Sequence, residues 1–114
     1  MTRAEVLERL LTIKSRGSKA LRLLESTPLT PAAQEEIQTL GRWIKAELES
    51  EYRRMVPEKV QRSLTIFERI IYSQTIEEAW KESGISRLKV EEAPSPKWQA
   101  PIEAVVYKVG KYIS

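Results

Sequence analysis

Apolar residues return at helical spacing through most of the 114 residues of this chain, and a proline or glycine falls near the end of most runs. A punctuated period of about 3.6 residues favours amphipathic helices sharing one core over a sheet. In the first run, Val6, Leu7, Leu10, Leu11, Ile13, Ala20, Leu21 and Leu24 cover one broad face. Thr2 and Glu5 have the spacing of a capping box, in which a hydroxyl accepts from an early amide and a carboxylate reaches back. The pattern predicts a helix over about residues 3–25. Gly17 projects onto the apolar face, so it marks either a close crossing by another helix or a break within Ser15–Ser18.

Ser26–Pro31 reads as a turn, with Thr30 as N-cap and Pro31 at the first helical position, where a missing N–H costs nothing. Ala33, Ile37, Leu40, Ile44, Leu48, Tyr52 and Met55 then form the stripe of a second helix. Its spacing drifts from a strict heptad, as in a bundle helix rather than a long coiled coil. Pro57 cannot donate to a running helix and sets a boundary or a kink. A third helix is expected over about 58–73, with Val60, Leu64, Phe67, Ile70 and Ile71 inward. Thr75 and Glu78 repeat the capping-box spacing, so a short fourth helix carrying Ile76, Ala79 and Trp80 should begin there and stop at Gly84.

Beyond Gly84 the composition changes. Arg87–Glu92 alternates, as a short strand or an extended loop would, and Ala93–Pro101 is a stiff proline-rich connector. Ile102, Val105, Val106, Val109, Tyr112 and Ile113 then share one helical face. The resulting expectation is an all-α fold: a small bundle of three main helices and a short fourth over residues 1–92, followed by a connector and an amphipathic helical arm over 93–114, all within one domain. Leu10, Leu24, Ile37, Leu40, Ile44, Leu48, Leu64, Phe67 and Ile71 lie nearest the centres of their faces and are the expected core.

Cysteine and histidine are absent. Disulfides, thiolate nucleophiles, zinc fingers and Ser-His-Asp triads are thereby excluded, along with the usual general base near neutral pH. The pairs Glu35–Glu36, Glu77–Glu78 and Glu91–Glu92 read as solvated carboxylates, since adjacent helical residues do not face one another. Glycines at 17, 41, 84 and 110 are too scattered for a phosphate-cradling loop. The expectation is a protein without enzymatic activity and without a cofactor or metal. No apolar run reaches the roughly 18 residues of a membrane span, and no signal-peptide core follows Met1, so a soluble cytoplasmic protein is expected.

The net charge is only +3, but it is distributed in blocks: +4 over residues 1–24, −4 over 25–51 and +3 over 52–72. Such blocks suit helices that attract their neighbours, or a molecule with one basic and one acidic face. Two functional readings follow. In the first, the chain is a protein-interaction module, an adaptor, assembly factor or regulatory subunit. It would present apolar surface to another protein or to a second copy of itself. Trp43 and Ile66 project off the core stripes, Trp98 sits between prolines, and Val105, Val109 and Ile113 line the arm, which could dock on its own body or on a neighbour. For Trp98 the core is the favoured place, because a large ring usually buries most of its surface. In the second reading the chain is a nucleic-acid-binding regulator. Lys14, Arg16, Lys19 and Arg22 of the first helix, with Arg62 and Arg69 of the third, would contact phosphates.

Overall fold

The computed structural model describes residues 2–26, 28–54 and 64–113. Among these residues there are four α-helices and no strand, in agreement with the all-α expectation. Helix α1 spans Arg3–Glu25, α2 Pro31–Arg54, α3 Ile66–Glu77 and α4 Gln99–Ile113. Both early caps form as the sequence predicts. The Glu5 amide donates to the Thr2 hydroxyl at 3.2 Å, and the Ala33 amide donates to the Thr30 hydroxyl at 3.1 Å.

Helix α1 is central, flanked by α2 and α4, while α3 lies against α2 and α4. Pairings run in opposite order along neighbouring helices: Lys19 meets Glu36 and Arg9 meets Glu51 on α2, whereas Gly17 meets Val106 and Lys14 meets Gly110 on α4. Both neighbours of α1 are therefore antiparallel to it. The core is continuous, running from Val6, Leu10 and Ile13 through Ile37, Ile44 and Leu48 to Ile76, Ile102, Val105 and Val109.

Two glycines fix the spacing. A Cβ at Gly17 would stand 2.5 Å from Val106 Cγ2, so this position is the close crossing and not a break in α1. A Cβ at Gly41 would stand 2.6 Å from Cζ3 of Trp98, whose ring packs against α2 there and is 3% exposed. The proline-rich connector is thus anchored by its own tryptophan. It forms a short 3₁₀ turn, Pro96–Trp98, that leads directly into α4 three residues before the expected start of the arm.

The structure differs from the sequence reading at α3. The helix begins at Ile66, because Thr65 is its N-cap: the Glu68 amide donates to the Thr65 hydroxyl, which in turn donates to the Glu68 carboxylate, each at 3.1 Å. Residues 55–63, and with them Met55, Pro57, Val60 and Arg62, lie outside the described residues. No new helix starts at Thr75. Its hydroxyl donates back to the Ile71 carbonyl at 2.8 Å, and the backbone continues unbroken into a π-helical turn, Glu78–Glu82. Gly84 stops the run with a φ of +83°, the left-handed conformation that glycine accepts without strain.

The inward face of α3 carries Tyr72, Thr75 and Ile76, followed by Ala79 of the π-turn. Phe67 is 71% exposed and Ile70 is 51% exposed, so both leave the predicted core, and Ile71 is only half-buried. Leu24 and Leu40 pack at the core's margin. Arg87–Glu92 forms no strand: a 3₁₀ turn at Ile85–Arg87 is followed by a tight turn closed by the Glu92 amide on the Lys89 carbonyl, and Leu88 and Val90 are buried.

The glycine contacts generate a paired prediction. Gly41→Ala should destabilise the fold in chemical denaturation, because the overpacking cost of about 1–3 kcal/mol exceeds the helix-propensity gain of about 1 kcal/mol. Gly110→Ala meets only Lys14 methylene and ammonium atoms at 3.6–3.8 Å and should leave the fold equally or slightly more stable.

Candidate interaction surface

The most buried acidic side chain among the described residues sets the orientation of α3. Glu51, in the last turn of α2, is 1% exposed. It accepts from Arg9 of α1 at 2.5 Å, from Arg54 at 3.1 Å and from the phenol of Tyr72. A carboxylate at this depth has to be paired and hydrogen-bonded, so three helices are pinned around it. Burial pushes the Tyr72 phenol far above its usual range, and the hydrogen bond to Glu51 and the charge of Glu51 add to the rise. Tyr72 also meets Tyr112 of α4 edge-on, at 5.7 Å between ring centres.

With Tyr72 turned inward, the positions of its helix-mates follow from geometry. Ile66, Phe67 and Ile70 stand roughly 120–160° around the helix from Tyr72. They face solvent, with Ile66 72% exposed. The three side chains lie within one turn and share a face, forming an exposed apolar patch at the start of α3. Scattered exposed apolar residues are ordinary, but contiguous ones are the usual mark of an interaction surface. Ile66 was expected at such a surface. Phe67 and Ile70 were not: the capping-box spacing of Thr65 and Glu68 marks where the helix starts, but which face turns inward is set by Tyr72 meeting Glu51 on another helix.

The remaining expected interaction residues fall elsewhere. Trp98 is 3% exposed, and Val105 and Val109 are fully buried against their own chain, so these three have no surface to offer a partner. Ile113 is half-buried against the same core. The arm therefore docks on its own body. Its length and its apolar face match the groove beside α1 that Gly17 opens. Lys108 closes the other side, with its ammonium 3.5 and 3.4 Å from Glu78 and Glu82. Trp43 is half-buried between α1 and α2, and the guanidinium of Arg16 lies 3.8 Å from its ring centre.

The basic run of α1 is largely engaged within the molecule. Arg16 covers Trp43, Lys19 pairs with Glu36 at 2.5 Å, and the Lys14 stem packs on Gly110. Arg22 is exposed, Arg69 is half-buried on α3, and Arg62 lies outside the described residues. The five described residues of this set do not gather into one basic face: four lie on α1 and Arg69 lies on α3. Among the described residues no group of three or more acidic side chains is arranged to hold a metal ion, and no helix is long and apolar enough to cross a membrane. No protein-family model matches the chain, and no curated protein or solved structure is significantly similar to it.

The Glu51 cluster generates two predictions. Glu51→Gln should cost about 2–3 kcal/mol, since both arginines can turn toward water, whereas Arg9→Ala with Arg54→Ala strands a buried charge and should cost about 3–5 kcal/mol. The second concerns alkaline pH. The folded state keeps the Tyr72 proton above the ordinary phenol value of 10.0, where the unfolded chain releases it. The unfolded state then binds fewer protons, so stability falls as pH rises past that value. Urea titrations across that range should show a shallower decline for Tyr72→Phe.

Proposed function

We propose that this chain is a non-enzymatic protein-interaction module of the cytoplasm, and that its docking surface is the first turn of α3. The observation that carries the reading is the joint exposure of Ile66, Phe67 and Ile70 on one helix face. Aromatic and large aliphatic side chains on a rigid helix are the groups that anchor protein interfaces, because burying them releases water at little conformational cost. The helix is held rigidly from behind by Tyr72 and Glu51 and capped at the patch by Thr65. The C-terminal arm takes no part in this reading, since its apolar face is used in closing the core.

Nucleic-acid binding, the second reading, has less support. Among the described residues the charges it needs are divided between α1 and α3, and two of them already have partners on α2. The two readings respond oppositely to salt: phosphate contacts weaken steeply as salt rises, and an apolar interface does not.

The test uses the full chain and the variant Ile66→Ser with Phe67→Ser. Both positions are exposed, so the variant should keep its stability within about 0.5 kcal/mol. The intact chain should form a salt-resistant complex, with itself or with a captured protein, detectable by sedimentation and cross-linking. The variant should lose that complex. A wild-type chain that stays monomeric and captures nothing, or a variant that associates equally well, refutes the proposal. Salt-sensitive capture of nucleic acid alone favours the second reading.

A further inference from the structure

A cleft of about 380 Å³ opens at the end of the molecule where the chain leaves the π-turn, well away from the first turn of α3. One wall is the segment after Gly84 and the other is the connector into α4. Both walls are tied to α2. The Lys45 ammonium donates to the Leu88 carbonyl at 2.7 Å, and the Gln38 amide donates to the carbonyls of Glu91 and Glu92 at 3.1 and 3.4 Å. The opposite wall is held by Trp98 on Gly41. Beside the left-handed Gly84, Arg87 Nη2 and Pro101 Cγ each lie 4.0 Å from where a Cβ would stand, and all three residues line the cleft.

The charge of the lining is one-sided. Arg87, Lys89 and Lys97 face a single carboxylate, Glu92, leaving a formal +2. Glu92 reaches only Lys89, at 3.8 Å, and both side chains are exposed. Arg87 and Lys97 form no ion pair among the described residues, unlike Arg9, Lys19 and Lys108, which all meet carboxylates. The Ser95 side chain makes no capping bond to the turn it precedes, so its hydroxyl is available as a further donor. Two flexible ammonium groups, a planar guanidinium and a hydroxyl on walls fixed to one helix are suited to the oxygens of a dianion. The volume lies within the range of small-molecule sites and exceeds what a single phosphate fills.

We infer that this cleft binds a phosphoryl-bearing small molecule, with its dianionic group held by Arg87, Lys89 and Lys97. The inference is independent of the interaction surface on α3. It is tested by titrating inorganic phosphate, glycerol 3-phosphate and chloride, at matched ionic strength, into the isotopically labelled full chain. Amide and indole resonances are followed by NMR. Phosphate should shift the Leu88, Lys89 and Trp98 amides and the Trp98 indole saturably, while the amides of α1 and all chloride spectra stay still. Tighter binding of the ester assigns a phosphorylated metabolite. Equal binding assigns the free anion, and both support an anion site. Arg87→Gln with Lys97→Gln should weaken binding about tenfold or more. Where that variant loses its dispersed spectrum, Lys97→Gln alone serves. Shifts that never saturate, equal shifts with chloride, or unchanged affinity in the folded variant overturn the inference.

Discussion

Helix α1 has no side chain at Gly17, and Val106 of α4 occupies the space a Cβ would fill. At such a crossing two backbones approach closely enough for the flanking side chains to interlock, and interiors packed to that density tolerate little displacement. The position of α4 is therefore set from α1, and the connector has to deliver α4 to that point. Trp98 does so by packing its ring into the space left at Gly41, which ties the connector to α2. Two glycines on antiparallel helices thus receive the two ends of one proline-punctuated segment. The apolar face of α4 closes the core where a bundle of the first three helices would have left a groove.

The second constraint is electrostatic. A carboxylate with 1% exposure is costly to bury, and Glu51 is tolerated because two guanidiniums and a phenol converge on it. The net stability gained by such a cluster is small, and its main effect is on geometry. Only one rotation of α3 brings Tyr72 to Glu51, and the same rotation turns Phe67 and Ile70 to solvent. The apolar patch on α3 and the buried polar cluster behind it are two sides of one helix.

Much of this architecture was legible from residue spacing. The ends of α1, the Thr30–Pro31 start of α2, the close crossing at Gly17, the stop at Gly84 and the helical arm all rest on local chemistry, in caps, imino acids and missing side chains. The phase of α3 was not legible. Its apolar residues outnumber its true inward set, because that set includes Tyr72 and Thr75, which a count of apolar side chains treats as outward. The reason Tyr72 turns inward is Glu51, on another helix and 21 residues earlier. Two competing capping boxes, at Thr65 and at Thr75, are equivalent as sequence patterns, and tertiary packing selects the first. The arm residues Val105 and Val109 were legible as apolar, but whether they turn to the same chain or to another depends on the groove beside α1. The basic cleft was not legible either, since Arg87, Lys89 and Lys97 come to line one cleft only through turns that the alternating sequence does not reveal.

The pairing of α1 with α4 also bears on the order in which the molecule can be completed. Helix α1 leaves the ribosome well before α4, so the seam around Gly17 has no partner until α4 has emerged. Joining elements this distant in the chain carries a loop-closure cost that local helix pairs avoid, and it slows the final step of folding. The nascent chain therefore passes through a stage in which α1 and α2 are paired while one side of α1 remains bare and adhesive. Emergence of α4 from the ribosome, rather than formation of any single earlier helix, is the event that removes this exposure.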